Sequence, residues 1–290
     1  MNLYEETKYI LKKYGITANK NLGQNFLINE DVIDNIVKNA EITKEDLVIE
    51  IGPGLGTLTS RLLENAGKVI CIELDSRMTQ ILNDRFQLYD NFELINEDVL
   101  KVNLHEIIES NVGEHGMCQI SHVKIVANLP YYITTPIIMK LLEEKLNIES
   151  ITVMIQKEVA DRLIAIPGSR DTGAITYSVY YYAEAKKIID VEANSFIPEP
   201  SVTSTVIKLQ IRKEPPVKVE EEKLMFKIIK QAFMQRRKTL VNALSNMNIF
   251  NSKEEIINLL KELQIDEKIR GEALSIEQFA QIANYISNKL

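Results

Sequence analysis

The chain has 290 residues, of which 45% are hydrophobic and 26% are charged. This length suggests one large domain, or a large domain with a small one, and the composition excludes wholesale disorder, collagen and a long coiled coil. No apolar run reaches the ~18 residues that a membrane span needs, and the charged first ten residues do not resemble a signal peptide. We therefore expect a cytoplasmic protein that does not contact membranes.

Charge is unevenly distributed along the chain. The net charge of −7 and the pI of about 5.3 argue against a protein that simply coats nucleic acid. Residues 213–290 nevertheless contain 13 basic and 11 acidic residues, and Lys227–Lys238 contains five basic residues and no acidic one. Any contact with a polyanion should therefore be local. No metal site or disulfide framework is expected from the spacing of the cysteines and histidines, which are Cys71, Cys118, His105, His115 and His122.

The first two thirds of the chain alternate short apolar runs with helical patterns such as Leu58–Asn65 and Ser76–Phe86. The runs predict five buried strands at Leu47–Ile51, Lys68–Ile72, Phe92–Ile95, Lys124–Ala127 and Ile151–Ile155. This alternation predicts an α/β fold, Rossmann-like, with a mostly parallel, doubly wound sheet. Two later runs, Tyr177–Tyr182 and Val202–Gln210, have no clear helix between them and predict an antiparallel pair at one sheet edge.

The best candidate for a linker is Arg212–Lys218, because its two prolines cannot continue a helix. Beyond it, apolar residues recur at helical spacing. We therefore predict a catalytic domain over residues 1–212, which includes an N-terminal helical segment over 1–45, and an all-helical C-terminal domain over 213–290.

Polar and glycine residues follow the first three predicted strands, where an open parallel sheet binds its ligands. Glycines at 52, 54 and 56 follow the first strand, and glycine lets a ligand approach the backbone closely. Glu73 follows the second strand and can accept both hydroxyls of a ribose; Asp98 follows the third and can accept from an adenine amine. The turn lacks the Gly-x-Gly-x-x-Gly spacing of dinucleotide binders and the lysine of a P-loop. The pattern favours S-adenosylmethionine, a nucleoside cofactor without phosphates.

Each of these features also has an ordinary structural interpretation. The glycine turn can be a tight connection between strand and helix, Glu73 a solvated acid, and Asp98 a helix N-cap. Their combination at three successive strand ends is more specific than any one of them and favours the cofactor.

The fourth predicted strand is followed by Asn128, Leu129, Pro130 and Tyr131, here called the catalytic corner. Such a segment can be an ordinary turn, but it also suits methyl transfer to an adenine amine, whose lone pair is delocalised into the ring. The side-chain oxygen of Asn128 and the carbonyl of Leu129 can accept both N–H bonds, which directs the lone pair at a methyl donor. Pro130 fixes φ, and Tyr131 offers a flat face to a base swung out of its stack.

Residues 18–212 resemble the class I adenine-N6 dimethyltransferases of ribosomal RNA. The motifs that carry the resemblance are Asn21–Leu27, Glu50–Gly56, Ile72–Asp75, Asn96–Asp98, Asn128–Tyr131 and Phe196–Val202. The chain is most similar to the small-subunit branch of this family. That branch is marked by Gln156–Arg162, Pro167–Ser169, Gly173–Ile175 and Gln235–Leu240.

The resemblance implies dimethylation of two adjacent adenosines near the 3′ end of 16S rRNA, within the small ribosomal subunit or its precursor, and a role in ribosome maturation. We also expect a monomer. It assigns Phe196 as a second aromatic on the target base, although an aromatic packed on proline is an equal alternative. Tyr132 is expected to line the pocket or only to pack. The cofactor contacts implied are Asn25, Leu27, Gly52, Glu73, Asp98 and Asn128, next to the glycines Gly54 and Gly56.

RNA contact is predicted for five basic residues of the C-terminal domain, although a basic run on a helix is often only a solvated face. These residues are Lys227, Lys230, Arg236, Arg237 and Lys238, and a second candidate strip comprises Lys8, Lys12, Lys13 and Lys20. Three other functions stay open at this point. They are methylation of 23S rRNA as in the antibiotic-resistance enzymes, a non-catalytic role in ribosome assembly, and a nicotinamide oxidoreductase.

Overall fold

A computed structural model describes residues 2–19, 23–112, 120–169, 171–247 and 249–289. Five residues named above lie outside the described residues. They are Lys20 of the second basic strip, Asn21 and Leu22 of the first motif, and the pair His115 and Cys118.

The chain divides into two compact units. The first, here called the sheet unit, comprises Met1–Ala160 and Ala185–Ile211. The second, the helical unit, comprises Asp161–Glu184 and Arg212–Leu290. This division differs from the predicted domains over residues 161–184 and at Arg212, which group with the C-terminal helices rather than with the sheet.

The strands lie in the sheet unit, apart from the first two residues of β7. Their bounds are β1 (Phe26–Leu27), β2 (Asp46–Ile51), β3 (Lys68–Glu73), β4 (Phe92–Asn96), β5 (His122–Asn128), β6 (Ser150–Gln156), β7 (Ala183–Val191), β8 (Phe196–Ile197) and β9 (Ser204–Ile211). Among the described residues they form a two-stranded sheet, β1-β8, and a seven-stranded sheet in the order β4-β3-β2-β5-β6-β9-β7. The five predicted strands are confirmed, each within two residues of its predicted ends.

The main sheet is parallel from β4 to β6, and β9 runs antiparallel to β6. Strands β2, β5 and β6 are buried along nearly their whole length because both of their faces are covered. The chain passes from β2 to β3 on one side and returns to β5 on the other side of β2. The carboxyl ends of β2 and β5 therefore lie side by side at the topological switch point, where such sheets bind ligands.

Helices connect the strands and continue into the helical unit. Several begin at a side chain that accepts a backbone N–H of the first turn, among them Asn29 before α2 and Asp75 before α4. Their bounds are α1 (Leu3–Lys13), α2 (Glu30–Ala40), α3 (Thr57–Asn65), α4 (Ser76–Phe86), α5 (Leu104–Asn111), α6 (Thr134–Glu143), α7 (Lys157–Ile164), α8 (Ala174–Tyr182), α9 (Glu222–Met234), α10 (Leu240–Leu244), α11 (Lys253–Glu262) and α12 (Ile276–Ser287). No helix of the described residues is both long and apolar enough to cross a bilayer.

The prediction of a strand over Tyr177–Tyr182 is wrong, because this run forms the last two thirds of α8. Its aromatic and β-branched residues favour a strand locally. Tyr177 and Tyr181, however, are four residues apart, and both are buried in the core of the helical unit. Tertiary packing of this helical face thus overrides the local preference. The sheet edge is instead formed by β7, next to β9.

Candidate functional site

A glycine turn follows β2 and lines a cavity at the carboxyl edge of the sheet. Gly52 and Gly54 have φ of +67° and +57°, a region that other residues adopt only with strain. The N–H of Gly52 donates to the carbonyl of Ile72 at 2.9 Å, which ties the turn to the end of β3. A Cβ at Gly54 would lie 3.4 Å from the ring of Phe26. The turn therefore presents bare backbone to the cavity.

Glu73 ends β3 and lies beside this turn. Its two carboxylate oxygens accept the N–H of Gly54 at 3.1 Å and of Asp75 at 2.9 Å. The residue is 7% exposed, and this burial raises the pKa of its carboxyl group in spite of the two backbone donors. A carboxylate oxygen can accept more than one hydrogen bond, so both oxygens can still accept hydroxyl groups from the cavity.

Asp98 follows β4 and also lines the cavity. Its Oδ1 accepts the N–H of Leu100 at 3.0 Å, which closes a local turn. Asp98 is therefore not the helix N-cap of the alternative interpretation, because the next helix, α5, is capped by Asn103. Within the described residues, Oδ2 has no hydrogen-bond partner, which leaves it able to accept an amine from the cavity.

Residues 23–27, which lie before α2 in the chain, form another wall of the cavity. Leu27 is 2% exposed and is held in β1 by pairing with Phe196 of β8. The side-chain nitrogen of Asn25 donates to the carbonyl of Gly23 at 3.1 Å. The carboxylate, the glycine backbone and this wall together fit a ribose and an amino-acid group, so the predicted residues could hold S-adenosylmethionine.

Asn128 ends β5 and reaches the same cavity. Its Nδ2 donates to the backbone carbonyl of Asn25 at 3.3 Å. This bond fixes the side-chain amide, because the nitrogen is directed at Asn25 and the oxygen is then directed elsewhere. In the described part of the chain nothing donates to Oδ1, and the amide oxygen is left as an acceptor.

The remainder of the catalytic corner turns sharply away from the sheet. The N–H of Leu129 donates to the carbonyl of Met154 at 3.1 Å, whereas the Leu129 carbonyl accepts no hydrogen bond from any described residue. Pro130 has φ of −59°, and its carbonyl accepts from Ile133 at 3.2 Å and from Thr134 at 3.1 Å. The corner thus places a second unpaired oxygen one residue from Asn128.

Tyr131 begins a short 3₁₀ turn over Tyr131–Ile133 and lines the cavity. Its hydroxyl lies 2.5 Å from the hydroxyl of Ser204, the first residue of β9. Burial raises the pKa of the phenol, so it is neutral in the physiological range. Sequence reasoning did not single out Ser204. The signal that could have found it is the antiparallel direction of β9, which brings the start of this strand to the edge where the parallel strands end.

Tyr132 also lines the cavity, although its side chain is 55% exposed. A Cβ placed on Gly23 would lie 3.4 Å from its ring. Burial, and then the charges of Asp98 and Glu73, raise the pKa of this phenol. Of the two roles expected for Tyr132, pocket lining describes its position better than packing alone.

Two predicted site residues do not line the cavity. Gly56 has φ of +80°, and a Cβ there would lie 2.4 Å from the ring of Phe86, so this glycine permits the close packing of α3 against α4. Phe196 is 2% exposed and packs in a cluster of apolar residues with Leu27. The structure therefore places the side chain of Phe196 in the apolar core, and its contact with a target base stays a prediction.

Glu50 lies below the glycine turn and was not predicted as a site residue. It is 1% exposed, its carboxylate accepts from the hydroxyl of Thr59 at 2.6 Å, and the thiol of Cys71 lies at 3.5 Å. Burial raises the pKa of Glu50 to about 7. The apolar strand around it is the signal that could have indicated an unusual carboxyl group.

The five basic residues predicted to contact RNA are all exposed in the helical unit. Arg236 pairs with Glu272 at 3.1 Å and donates to the carbonyl of Thr172, so it also fastens this unit internally. Within the described residues, no acidic side chain pairs with the other four, which are Lys227, Lys230, Arg237 and Lys238.

Comparison with known proteins agrees with the motifs. The family model described as ribosomal RNA adenine dimethylase matches residues 15–288. The proteins named ribosomal RNA small subunit methyltransferase A from Alkaliphilus oremlandii and Bacillus pumilus are 47% and 49% identical over 286 and 287 residues. These matches cover 99% and 98% of this chain and 98% and 96% of theirs. A crystal structure of a dimethyladenosine transferase from Plasmodium falciparum is similar, with a TM-score of 0.74 and 27% identity over 91% of this chain and 98% of that one. The resemblance inferred from the motifs is thus confirmed, and this protein belongs to the ribosomal RNA adenine dimethylase family.

Proposed function

We propose that this protein transfers methyl groups to N6 of two adjacent adenosines near the 3′ end of 16S rRNA, and that it does so on the small ribosomal subunit or its precursor. Its family consists of methyltransferases that act on adenine in ribosomal RNA and use S-adenosylmethionine. The small-subunit target is supported by the names of relatives with 47% and 49% identity. The same names disfavour 23S rRNA as the substrate.

We assign the cofactor to the cavity at the ends of β2, β3 and β4. When bound, S-adenosylmethionine supplies an electrophilic methyl group on a sulfonium. Glu73 would accept the ribose hydroxyls, and Asp98 would accept the adenine amine with its unpaired Oδ2. Gly52 and Gly54 would allow close approach of the cofactor to the backbone, while Asn25 and Leu27 close the opposite wall.

The observation that carries the catalytic proposal is the hydrogen bond from Nδ2 of Asn128 to the carbonyl of Asn25. Because this bond occupies the donor side of the amide, Oδ1 serves as an acceptor for one N–H of the target amine. The Leu129 carbonyl accepts the second N–H. Both acceptors draw N6 out of conjugation with the ring, which exposes its lone pair without requiring a base to ionise it.

Tyr131 is assigned as the surface on which the target base lies. Stacking of a base on an aromatic ring stabilises an extruded nucleotide by about 1–3 kcal/mol. Alignment of the amine with the methyl group then supplies most of the acceleration, because no further entropy is lost in the reaction step. Phe196 has no part in this proposal, since its side chain is buried in the core.

The exposed basic residues of the helical unit support contact with rRNA phosphates, and Lys227, Lys230, Arg237 and Lys238 are the best placed for it. The body of the protein is acidic, so binding should depend on a shaped substrate and weaken strongly with salt. We propose that the protein acts as a monomer in the cytoplasm, where ribosomal subunits assemble. An intact catalytic corner argues against a purely non-catalytic role in assembly.

The direct test is mass mapping of methyl groups after incubation of the protein and labelled S-adenosylmethionine with purified 30S particles or with naked 23S rRNA. We expect two dimethylated adenosines near the 3′ end of 16S rRNA and no label on 23S rRNA. Label on 23S rRNA alone would establish the antibiotic-resistance activity instead. Saturable NADH binding, with no binding of S-adenosylhomocysteine, would overturn the cofactor assignment.

A further inference from the structure

Gln24 lies in the wall of the cavity formed by residues 23–27 and makes two hydrogen bonds with its side-chain amide. Its Oε1 accepts the N–H of Asn19 at 2.8 Å. Its Nε2 donates to Oδ2 of Asp75 at 2.9 Å. Both ends of the amide are thus engaged, and the side chain connects the N-terminal segment to the loop that follows β3.

Asp75 is a rigid anchor for this contact. Its side chain is 6% exposed and pairs with Arg77, and this guanidinium, assisted by Gln24, holds the pKa of the carboxyl group below its usual value. The N–H of Asp75 donates to Oε1 of Glu73 at 2.9 Å. The group that holds Gln24 is therefore bonded through its own backbone to the carboxylate assigned to the ribose.

The residue after Gln24 completes a connection to the catalytic corner. The carbonyl of Asn25 accepts from Nδ2 of Asn128, so the position of this loop determines which way the catalytic amide points. A hydrogen bond that holds Gln24 in place thus constrains a carbonyl one residue away.

We propose that Gln24 is a positioning residue for the methyl-transfer reaction. Its hydrogen bond to Asp75 holds the wall of residues 23–27 against the end of β3. In this position the wall keeps Asn25 and Leu27 at the cofactor and keeps the Asn25 carbonyl at Asn128. This inference rests on the proposed function, because it assumes that the cavity binds the cofactor.

The test uses Gln24→Ala, which removes both bonds, and Gln24→Glu, which keeps the acceptor for Asn19 but places a carboxylate against Asp75. Affinity for S-adenosylhomocysteine is measured by calorimetry on the full chain without RNA, and kcat is measured on 30S particles at saturating cofactor. A hydrogen bond to a charged group is stronger than one between neutral groups, so we expect binding about tenfold weaker or more in each variant. We also expect kcat to fall several-fold.

Tyr14→Phe is the matched control. Tyr14 donates to Asp84 at 2.9 Å and so also ties the N-terminal segment to the sheet unit, but away from the cavity. We expect this variant to bind and turn over like the wild type. An equal loss in Tyr14→Phe and Gln24→Ala would overturn the proposal, because the effect would then come from general loosening of the segment.

The double variant Gln24→Glu/Asp75→Asn exchanges donor and acceptor across the same contact. We expect it to recover only part of the affinity and turnover lost in Gln24→Glu, because Asp75→Asn also loses the ion pair with Arg77. Wild-type behaviour of both Gln24 single variants, or failure of the exchange, would overturn the inference and leave the proposed function standing. A wild-type protein that binds no S-adenosylhomocysteine would instead overturn the cofactor site itself, and the inference with it.

Discussion

The hydroxyl oxygens of Tyr131 and Ser204 lie 2.5 Å apart. Ser204 is opposite Gln156 at the last pair of β6 and β9, where the antiparallel strand begins at the carboxyl edge of the sheet. The phenol is therefore held at its hydroxyl end by β9, while its backbone is held by the turn after β5. A ring fixed at both ends is a suitable surface for an extruded base.

This relationship predicts similar losses when either hydroxyl is removed. Tyr131→Phe and Ser204→Ala should each lower kcat/KM on 30S particles about fivefold, the effect of one hydrogen bond of ~1 kcal/mol. Tyr131→Ala should cost more, since the stacking surface itself is lost. Thr205→Ala is the control, because this neighbouring buried hydroxyl bonds to Asp190 instead. Losses that simply add in Tyr131→Phe/Ser204→Ala would contradict a shared role.

Asn128→Ala removes the amide oxygen that we assign as an acceptor of the target amine. Turnover at saturating cofactor should fall by ~10²–10³-fold, the typical effect of losing one group that stabilises a transition state. The fold and most RNA binding should be retained, which circular dichroism and particle binding would check. Turnover near the wild-type value would remove Asn128 from the mechanism.

Gly52→Ala and Gly56→Ala should have different consequences although both residues have positive φ. A Cβ at position 56 would meet Phe86 at 2.4 Å, so overpacking and backbone strain should lower the free energy of unfolding by about 2–4 kcal/mol. A Cβ at position 52 makes only ordinary contact with Pro130 at 3.6 Å, and strain alone should cost about 1–2 kcal/mol. We expect weaker binding of S-adenosylhomocysteine only in Gly52→Ala, measured on folded protein. The reverse pattern would make Gly56 the cofactor contact.

Glu50 should make the stability of the cofactor-free protein depend on pH. Its pKa is raised from 4.5 to about 7 by burial, so the folded state keeps a proton that the unfolded state has lost between these values. This contribution is fully present below about pH 4.5 and is lost as the pH rises through about 7. It amounts to about 3 kcal/mol at 1.36 kcal/mol per pKa unit.

The measurement is the free energy of unfolding by urea from pH 5 to pH 8, compared between the wild type and Glu50→Gln. Glu73 has a pKa shifted in the same direction, but it is present in both proteins, and its charge is the smallest of the causes that shift Glu50, so most of its contribution cancels in the difference. We expect the free energy of unfolding of the wild type to fall relative to that of Glu50→Gln as the pH rises through about 7, and the difference to level off as the pH approaches 8. A constant difference would mean that Glu50 is already ionised in the folded protein at pH 5.

The basic surface of the helical unit should be visible in the salt dependence of binding. Arg237→Ala/Lys238→Ala should reduce the slope of log K against log salt by up to about 0.9 for each lost phosphate contact in duplex-like RNA. Arg236→Ala should contribute less to the slope, because Arg236 is paired with Glu272. Lys261→Ala/Lys268→Ala removes two exposed charges elsewhere in this unit and serves as the control. Equal slopes for the wild type and both double variants would mean that Arg237 and Lys238 are exposed to solvent and do not contact RNA phosphates.

Site residues at the ends of parallel strands could be predicted from the sequence. Apolar runs located β2, β3 and β5 within two residues, and the residues that follow them could be assigned to one edge because parallel strands end together. Glu73 and Asn128 were found in this way. Gly56 shared the pattern but not the role, because spacing alone does not distinguish a glycine that faces a ligand from one that faces a helix.

Contacts that depend on tertiary packing could not be predicted in the same way. Ser204 and Gln24 reach the site from distant segments, and neither residue type carries a functional signal by itself. The run at Tyr177–Tyr182 was misassigned because its local preference for a strand gives way to burial of one helical face. Residues 161–184 group with the C-terminal helices through tertiary contacts that the order of elements along the chain does not reveal.

The most direct test is a structure of the protein with S-adenosylhomocysteine and an RNA that contains the target adenosines, at a resolution that places the base. We predict that the exocyclic nitrogen lies within hydrogen-bonding distance of both Oδ1 of Asn128 and the carbonyl oxygen of Leu129, with the base against Tyr131. An exocyclic nitrogen bound elsewhere, or a catalytic corner turned away from the cofactor sulfur, would contradict the mechanism.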